Sequence, residues 1–101
     1  MALSFRIVMQ ENGENLDLRL MGDFDGSSAC ELLEVLKDKA YAVQNVFIHT
    51  NELGEVYPFG QNTFEKRASE LRGDLRKIHF MGDKAELVSP DRSLRFLNQS
   101  S

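Results

Sequence analysis

Two segments of alternating apolar and polar residues, joined by Asn12 and Gly13, constrain the fold more than any other feature of the sequence. Alternation with a period of two is typical of a β-strand that buries one face. The residues that recur on one side of the two segments are Phe5, Ile7, Met9, Leu16, Leu18 and Leu20. An Asn-Gly pair accepts the positive φ angles of a tight hairpin turn. Residues 4–21 are therefore predicted to form an antiparallel hairpin with one apolar face.

A helix is predicted soon after this hairpin, beyond the break in the pattern at residues 22–26. Apolar residues then recur every three or four positions, which makes one stripe along a helix. These residues are Ala29, Leu32, Leu33, Leu36 and Ala40. Ser28 and Glu31 have the spacing of a capping box, in which each side chain binds a backbone N–H group at the helix start. The pattern therefore predicts a helix whose start is capped by Ser28.

The rest of the chain alternates short apolar runs with helical patterns. The run at residues 46–48 is typical of a strand buried on both faces of a sheet. Residues 51–60 are interpreted as irregular because they contain two glycines and a proline. The further expected elements are a second helix over 61–72, a strand over 75–81, a short helix over 84–88 and a docking segment with Leu94, Phe96 and Leu97.

The resulting order, β-β-α-β-α-β-α, predicts an α/β protein. Because helices alternate with strands after the hairpin, the strands are expected to form one mixed β-sheet with helices packed on it. The sequence shows no linker, internal repeat or low-complexity stretch. We therefore expect a single domain over residues 1–101, with its core at about 4–97.

Composition narrows the possible functions. Twelve Lys and Arg against 16 Asp and Glu give a formal net charge of −4, which argues against a general binder of nucleic-acid phosphates. No apolar run approaches the ~20 residues of a membrane span, and the first ten residues lack the pattern of a signal peptide. The lone cysteine, Cys30, cannot form an intramolecular disulfide. We expect a cytoplasmic protein that neither binds nucleic acid nor inserts into a membrane.

The side chains that could support catalysis or bind a metal form no recognisable motif. His49 and His79 lie near the ends of two predicted strands, without the cysteine or spaced carboxylate of a metal site. Cys30 lies in the first turn of the first helix, where a thiol pKa is lowered, but it can equally pack inward. Asp23 and Asp25 are two apart on an extended segment, so they point to opposite sides and fit turn and capping roles. No catalytic residue, metal ligand or cofactor is predicted.

Residues 55–60 place three apolar side chains and a proline just before the second predicted helix. Loops normally run over the surface, and exposed aromatic groups there often mark a contact with a partner. The alternative is that Val56 and Phe59 fold back as a lid on the core. Of the apolar side chains in this segment, Tyr57 is expected to be the most exposed.

The element order and one motif together resemble the STAS domain, named for sulphate transporters and anti-sigma factor antagonists. The motif is the Leu-Met-Gly-Asp-Phe-Asp sequence at residues 20–25, which is similar to the family's Leu-x-Gly-x-Leu-Asp segment before the first helix. Residues 46–48 resemble the family's central strand, and a loop then leads to a helix at Gly60. The resemblance covers about residues 4–97. It implies a bacterial cytoplasmic module that binds a protein partner and catalyses no reaction.

The sequence departs from the family pattern at the position that regulatory members phosphorylate. Those members carry Asp-Ser-Ser-Gly or Asp-Ser-Thr-Gly before the second helix, and a partner kinase phosphorylates the first hydroxyl residue. Aligned on Gly60, this chain has Tyr57 in the Asp position, Pro58 in the phosphoacceptor position and Phe59 in the next. Because proline has no hydroxyl group, the resemblance implies a binding site that this phosphorylation cannot switch.

The resemblance places the partner-binding surface in the loops at residues 22–28 and 54–63. The implied partner is an anti-sigma-type kinase, a sensory complex or a membrane-transport assembly. The residues predicted to form the surface are Asp23, Asp25, Ser27, Val56, Tyr57, Pro58, Phe59, Gly60 and Thr63. Substitute phosphate acceptors nearby in the sequence are Ser27, Ser28 and Thr63.

Two other functions stay open at this point. One is a sensor that binds a small molecule or anion between residues 54–63 and Asp25. The other is an enzyme of unknown type that uses His49, His79 or Cys30, for which no nucleophile and base can be paired from the sequence spacing.

Overall fold

The computed structural model describes residues 3–90, which contain a four-stranded sheet and the helices packed on it. The strands are β1 (Arg6–Asn12), β2 (Asn15–Phe24), β3 (Asn45–Val56) and β4 (Ile78–Met81), and the helices are α1 (Gly26–Lys39), α2 (Pro58–Arg67) and α3 (Ala85–Val88). Short 3-10 segments follow α1 and α2, at Ala40–Ala42 and Ala68–Lys77. The predicted order of elements and the α/β class are confirmed. The predicted docking segment with Leu94, Phe96 and Leu97 lies outside the described residues.

The strands lie side by side in the order β1-β2-β3-β4. β1 runs antiparallel to β2, whereas β2, β3 and β4 are parallel neighbours. The predicted hairpin is present, and Gly13 in its turn has a φ of 66°, which glycine adopts without steric cost. Parallel neighbours need a crossover connection, so α1 joins β2 to β3, and α2 with its 3-10 segment joins β3 to β4. As a result, the ends of β2 and β3 lie beside the starts of α1 and α2.

The core lies between one face of the sheet and the helices. Its buried residues on the central strands and on α1 are Leu16, Leu18, Leu20, Phe24, Val46, Ile48, Leu53, Ala29, Leu32, Leu33 and Leu36. These positions confirm the period of two predicted for β2 and the apolar stripe predicted for α1. Burial of each large aliphatic side chain contributes roughly 1.5–3 kcal/mol, so this stripe fixes how α1 lies on the sheet.

The central strand differs from the prediction that both of its faces are buried. Its inner residues are fully buried, but Phe47 is only partly buried and stacks on His79, with 5.2 Å between the ring centroids. On the neighbouring strand, this same face carries the polar residues Asp17 and Arg19. Within residues 3–90 the helices therefore cover one face of the sheet. A run of three apolar residues is too short to distinguish one buried face from two.

β3 is longer than predicted, and α2 begins earlier. Residues 51–56, which were expected to be irregular, continue the pairing with β2 up to the pair of Phe24 and Val56, with two register shifts on the way. Gly54 suggested a break in the sequence, but here it leaves room for the carboxylate of Asp23, which a Cβ atom would meet. Pro58 is the first residue of α2, a position where its missing N–H group is not needed.

The capping box predicted for Ser28 and Glu31 is wrong. α1 begins at Gly26, and the residue that caps it is Asp25, whose Oδ1 accepts a hydrogen bond of 3.0 Å from the Ser28 N–H group. Ser28 lies inside the first turn and is 2% exposed. Asp and Ser are equally good N-cap residues, so the sequence contained two competing capping signals three residues apart.

Among residues 3–90, no helix has both the length and the apolar character that crossing a membrane would require.

Candidate functional site

The residues predicted to bind a partner come together where β2 leads into α1 and β3 leads into α2. Since β2 and β3 are parallel neighbours, their carboxyl ends meet at the same edge of the sheet. The Tyr57 N–H group donates a 2.9 Å hydrogen bond to the carbonyl oxygen of Phe24, which continues the pairing beyond Val56. We call the surface formed by residues 23–28 and 55–63 the junction.

α2 comes very close to the start of α1 at Gly60. A Cβ atom on this buried residue would lie 2.6 Å from the carbonyl oxygen of Asp25 and 2.8 Å from that of Phe24, closer than such atoms approach in real structures. Any side chain at position 60 would therefore push the two helix starts apart. Gly60 sets the geometry of the junction by its lack of a side chain.

Asp23 belongs to the buried part of the junction and is only 8% exposed. Its Oδ2 accepts a 2.9 Å hydrogen bond from the Leu3 N–H group, and its Oδ1 accepts one of the same length from the Glu55 N–H group. Leu3 also accepts a hydrogen bond from the Asp23 N–H group at 3.1 Å. The carboxylate thus ties the segment before β1 to the end of β3.

Asp25 is exposed and carries the negative charge of the junction surface. Its Oδ1 accepts hydrogen bonds from the Ser28 N–H group at 3.0 Å, from Ser28 Oγ at 2.9 Å and from Ser27 Oγ at 3.0 Å. These bonds, first of all the one from the Ser28 N–H group, hold the pKa of the Asp25 carboxyl below its ordinary value. The carboxylate is therefore ionised at neutral pH. The side chains of Asp25 and Asp23 bind different groups, as the spacing of two residues predicts.

Phe59 is the most exposed apolar side chain of the junction. It is 73% exposed and Tyr57 is 39% exposed, so the prediction that Tyr57 would be the more exposed is wrong. The reason is that the backbone of Tyr57 is held at the edge of the sheet, whereas Phe59 lies in the first turn of α2 on its outer side. A Cβ atom on Gly26 would lie 2.6 Å from Cδ1 of Phe59, so the ring rests directly on the backbone at the start of α1.

The alternative that Val56 and Phe59 both fold back on the core holds for Val56 alone, which is partly buried against it. Phe59 instead covers Gly26, so its ring takes up part of the space between residues 54–63 and Asp25 in which the sensor hypothesis places a small molecule.

The hydroxyl groups near the junction differ in accessibility. Ser28 is buried, and Thr63 is half-buried and donates a 2.7 Å hydrogen bond from Oγ1 to the carbonyl oxygen of Phe59. Ser27 is exposed. Pro58, which lies between the two aromatic residues of the junction, is also exposed. Of the three substitute acceptors, Ser27 has the most accessible hydroxyl group.

The residues of the enzyme hypothesis each have a different neighbour. His49 Nε2 lies 2.9 Å from Asp17 Oδ1, and His79 Nε2 lies 3.1 Å from Asn45 Oδ1. The thiol of Cys30 accepts a 3.2 Å hydrogen bond from the Arg67 guanidinium group. Nowhere in the described range do three His, Cys, Asp or Glu side chains converge as metal ligands.

Two contributors to the junction were not predicted from the sequence. Gly26 lies within the predicted surface loop 22–28 but is not among the residues predicted to contact a partner, and the Phe59 ring packs against its backbone. Its position next to the capping Asp25 is the signal that could have identified it. Leu3 contributes only backbone groups to Asp23, and such contacts leave no side-chain signal in a sequence.

Solved structures with the same fold are found despite low sequence identity. The crystal structure of Mglu matches with a TM-score of 0.64 and 16% identity, over 76% of this chain and 19% of Mglu, so the chain spans a small part of that protein. The structure of the anti-sigma factor antagonist SpoIIAA in its unphosphorylated form matches with a TM-score of 0.50 and 15% identity, over 94% of this chain and 98% of SpoIIAA. No protein-family model matches the sequence, and a search of curated proteins finds no match. The STAS-like fold predicted from the sequence is confirmed by the SpoIIAA match.

Proposed function

We propose that this chain is a STAS-like regulatory module that binds a protein partner through the junction and catalyses no reaction. The observation on which the proposal rests is Phe59, a large aromatic side chain that is 73% exposed and yet rests on Gly26. Tyr57 and Pro58, both exposed, extend this apolar surface. Aromatic side chains at the centre of an interface commonly supply much of the binding energy. The match to SpoIIAA, an anti-sigma factor antagonist, supports a protein partner.

The junction also suggests the chemistry of the partner. The ring of Phe59 requires an apolar pocket, and burial of a phenylalanine side chain contributes roughly 1.5–3 kcal/mol. Asp25 uses only Oδ1 in its hydrogen bonds to described residues, which leaves Oδ2 for a donor on the partner. A basic side chain or a backbone N–H group would fit there. We therefore expect the partner to present an apolar pocket with a basic group at its rim.

Binding at the junction is proposed to be independent of phosphorylation at position 58. Phosphorylation of a hydroxyl group there would add nearly two negative charges close to Asp25. Pro58 cannot be phosphorylated, so the charge of this part of the junction stays constant. The partner classes that the STAS resemblance suggests are an anti-sigma-type kinase, a sensory complex and a transport assembly, in the bacterial cytoplasm.

Affinity capture with matched variants tests the proposal. Phe59→Ala removes the ring, and Tyr41→Ala is the control because Tyr41 is 72% exposed but lies after α1, outside the junction. We expect the wild type and Tyr41→Ala to retain the same protein from native extract, and Phe59→Ala to retain at least about tenfold less of it. Thermal unfolding of all three proteins checks that the variants remain folded. Equal retention by the two variants would contradict the proposal.

A further inference from the structure

A cavity of about 940 Å³ opens beside β4 and shares no lining residue with the junction. Its walls come from the 3-10 segment after α2, from β4 and from the residues after α3. Sites for small organic molecules typically measure about 300–1,000 Å³. The cavity is thus large enough for such a ligand.

Two arginines, Arg72 and Arg76, are among the residues that line the cavity. The side chains of Arg72 and Arg76 are exposed and form no hydrogen bond or ion pair with any residue among residues 3–90. The neighbouring Lys77, in contrast, binds the carboxylate of Asp74 and the carbonyl oxygens of Ala40 and Val43. A guanidinium group is permanently charged and presents five N–H donors, which suit a carboxylate or phosphate. The two arginines therefore give the lining of the cavity a positive charge that is complementary to an anion.

Arg72 holds its place in the cavity wall with a strained backbone. Its φ of 53° and ψ of −130° lie close to the first central position of a type II′ turn, at about +60° and −120°, where glycine is strongly preferred. In this chain the glycine comes one residue later, at Gly73. A residue kept in a sparsely populated conformation lowers stability, and such residues cluster at ligand sites. The strain is explained if the side chain of Arg72 has a function that glycine could not perform.

The rest of the wall combines the apolar side chains of Leu75, Phe80 and Pro90 with the polar residues His79 and Ser89. Phe80 is held by an edge-on contact with the buried Phe64, with 5.9 Å between the ring centroids. We propose that this cavity binds a small amphipathic anion, whose carboxylate or phosphate group is held by Arg72 and Arg76. The apolar chain of the ligand would lie along Leu75, Phe80 and Pro90.

Calorimetric titration of the 101-residue chain tests this site. The probes are decanoate and hexyl phosphate, and decanol is the uncharged control. We expect at least one of the two anions to bind with one-to-one stoichiometry, and the comparison of the two shows which head group is preferred. A charge-assisted hydrogen bond is strong enough that decanol should bind at least about tenfold more weakly than the preferred anion. Absence of binding by both anions, or equal binding of decanol, overturns the proposal.

Four variants locate the binding. Arg76→Gln should weaken the preferred anion about tenfold or more, whereas the control Arg6→Gln, in β1 and outside the cavity, should leave its affinity unchanged. Arg72→Gly should weaken binding and yet raise the thermal midpoint of unfolding, because it relieves the backbone strain. If Arg72→Gly raises the midpoint but binding is undiminished, Arg72 has no role in the site and the proposal fails. Phe59→Ala should not change anion binding, so the test is independent of the junction.

Discussion

Asp25 shows how one side chain can serve both the fold and the proposed interface. Its Oδ1 caps α1, and the carboxylate is exposed at the junction. We expect Asp25→Ala to lower the free energy of unfolding by about 1 kcal/mol, because the cap is lost, and Asp25→Asn to change it much less, because asparagine is an equally good cap. Urea denaturation measures both values. The two variants thereby separate the capping role of Asp25 from its charge.

The same carboxylate predicts how stability depends on pH. The hydrogen bonds from Ser28 and Ser27 lower the pKa of Asp25 in the folded chain. The carboxyl group therefore binds a proton more readily in the unfolded chain than in the folded one. Its ionised form stabilises the fold fully above the ordinary Asp pKa of about 3.9. This stabilisation is lost as the pH falls through the lowered pKa of the folded chain. The stability difference between the wild type and Asp25→Ala should therefore shrink below about pH 4. A difference that stays constant down to pH 2 would contradict this assignment.

Gly60 offers a second test at the scale of one residue, with a control in the same chain. Gly60→Ala would place a Cβ atom 2.6 Å from the carbonyl oxygen of Asp25, and we expect a loss of about 2 kcal/mol because backbone would have to move. Gly73→Ala meets no atom within 4 Å and should change stability by less than about 1 kcal/mol. Urea denaturation of the pair distinguishes close packing at Gly60 from a general effect of replacing glycine.

At the scale of elements, the regular parts of the fold were predictable, and the boundaries near the junction were not. Leu16, Leu18 and Leu20 repeat with the strand period, and the apolar stripe of α1 repeats with the helix period, so both elements follow from local pattern alone. The end of β3 depends on a long-range contact, since Gly54 remains in the strand where the Asp23 carboxylate takes the space of a side chain. No local pattern encodes such a contact.

In the candidate site, too, some features could be predicted from the sequence and others could not. The STAS resemblance predicted that residues 22–28 and 54–63 form one surface, and the order of the strands places them at one edge of the sheet. The relative exposure of Tyr57 and Phe59 was predicted in the wrong order. That order depends on which backbone groups bond to β2 and on how α2 is rotated against Gly26. Both are properties of the packed structure, and neither is visible in the spacing of apolar residues.

Edge-on aromatic contacts join α2 to the sheet. Phe64 of α2 contacts Phe24 of β2 and Phe80 of β4, with ring centroids 6.4 Å and 5.9 Å apart. Phe64→Ala should therefore lower the free energy of unfolding by about 3–5 kcal/mol, the usual range for removal of a buried phenylalanine. The exposed Phe59 is the control on the same helix, and Phe59→Ala should change stability by less than about 0.5 kcal/mol. Chemical denaturation of both variants checks the prediction, and equal losses would contradict the packing of α2.

At the scale of the whole molecule, the net charge of −4 should influence how fast a partner associates with the junction. A partner that offers a basic group to Asp25 would be attracted over a Debye length of about 8 Å at physiological ionic strength. Its association rate should therefore fall as salt is added, while the dissociation rate changes little. Stopped-flow or surface-based kinetics, with the protein retained by affinity capture, would measure the two rates separately.

Two neutralising substitutions of equal charge then distinguish general attraction from direct contact. Glu11 lies in β1 near the hairpin turn, at the opposite end of β2 from the junction, and Glu11→Gln should slow association slightly and leave dissociation unchanged. Asp25→Asn removes the same charge at the proposed contact, so it should also speed dissociation, because a hydrogen bond to a charged group is weakened. If both variants altered only the association rate, the charge of Asp25 would act at a distance and the contact would rest on Phe59 and its apolar neighbours. An unchanged association rate in both variants would instead show that the partner is not drawn to the acidic surface at all.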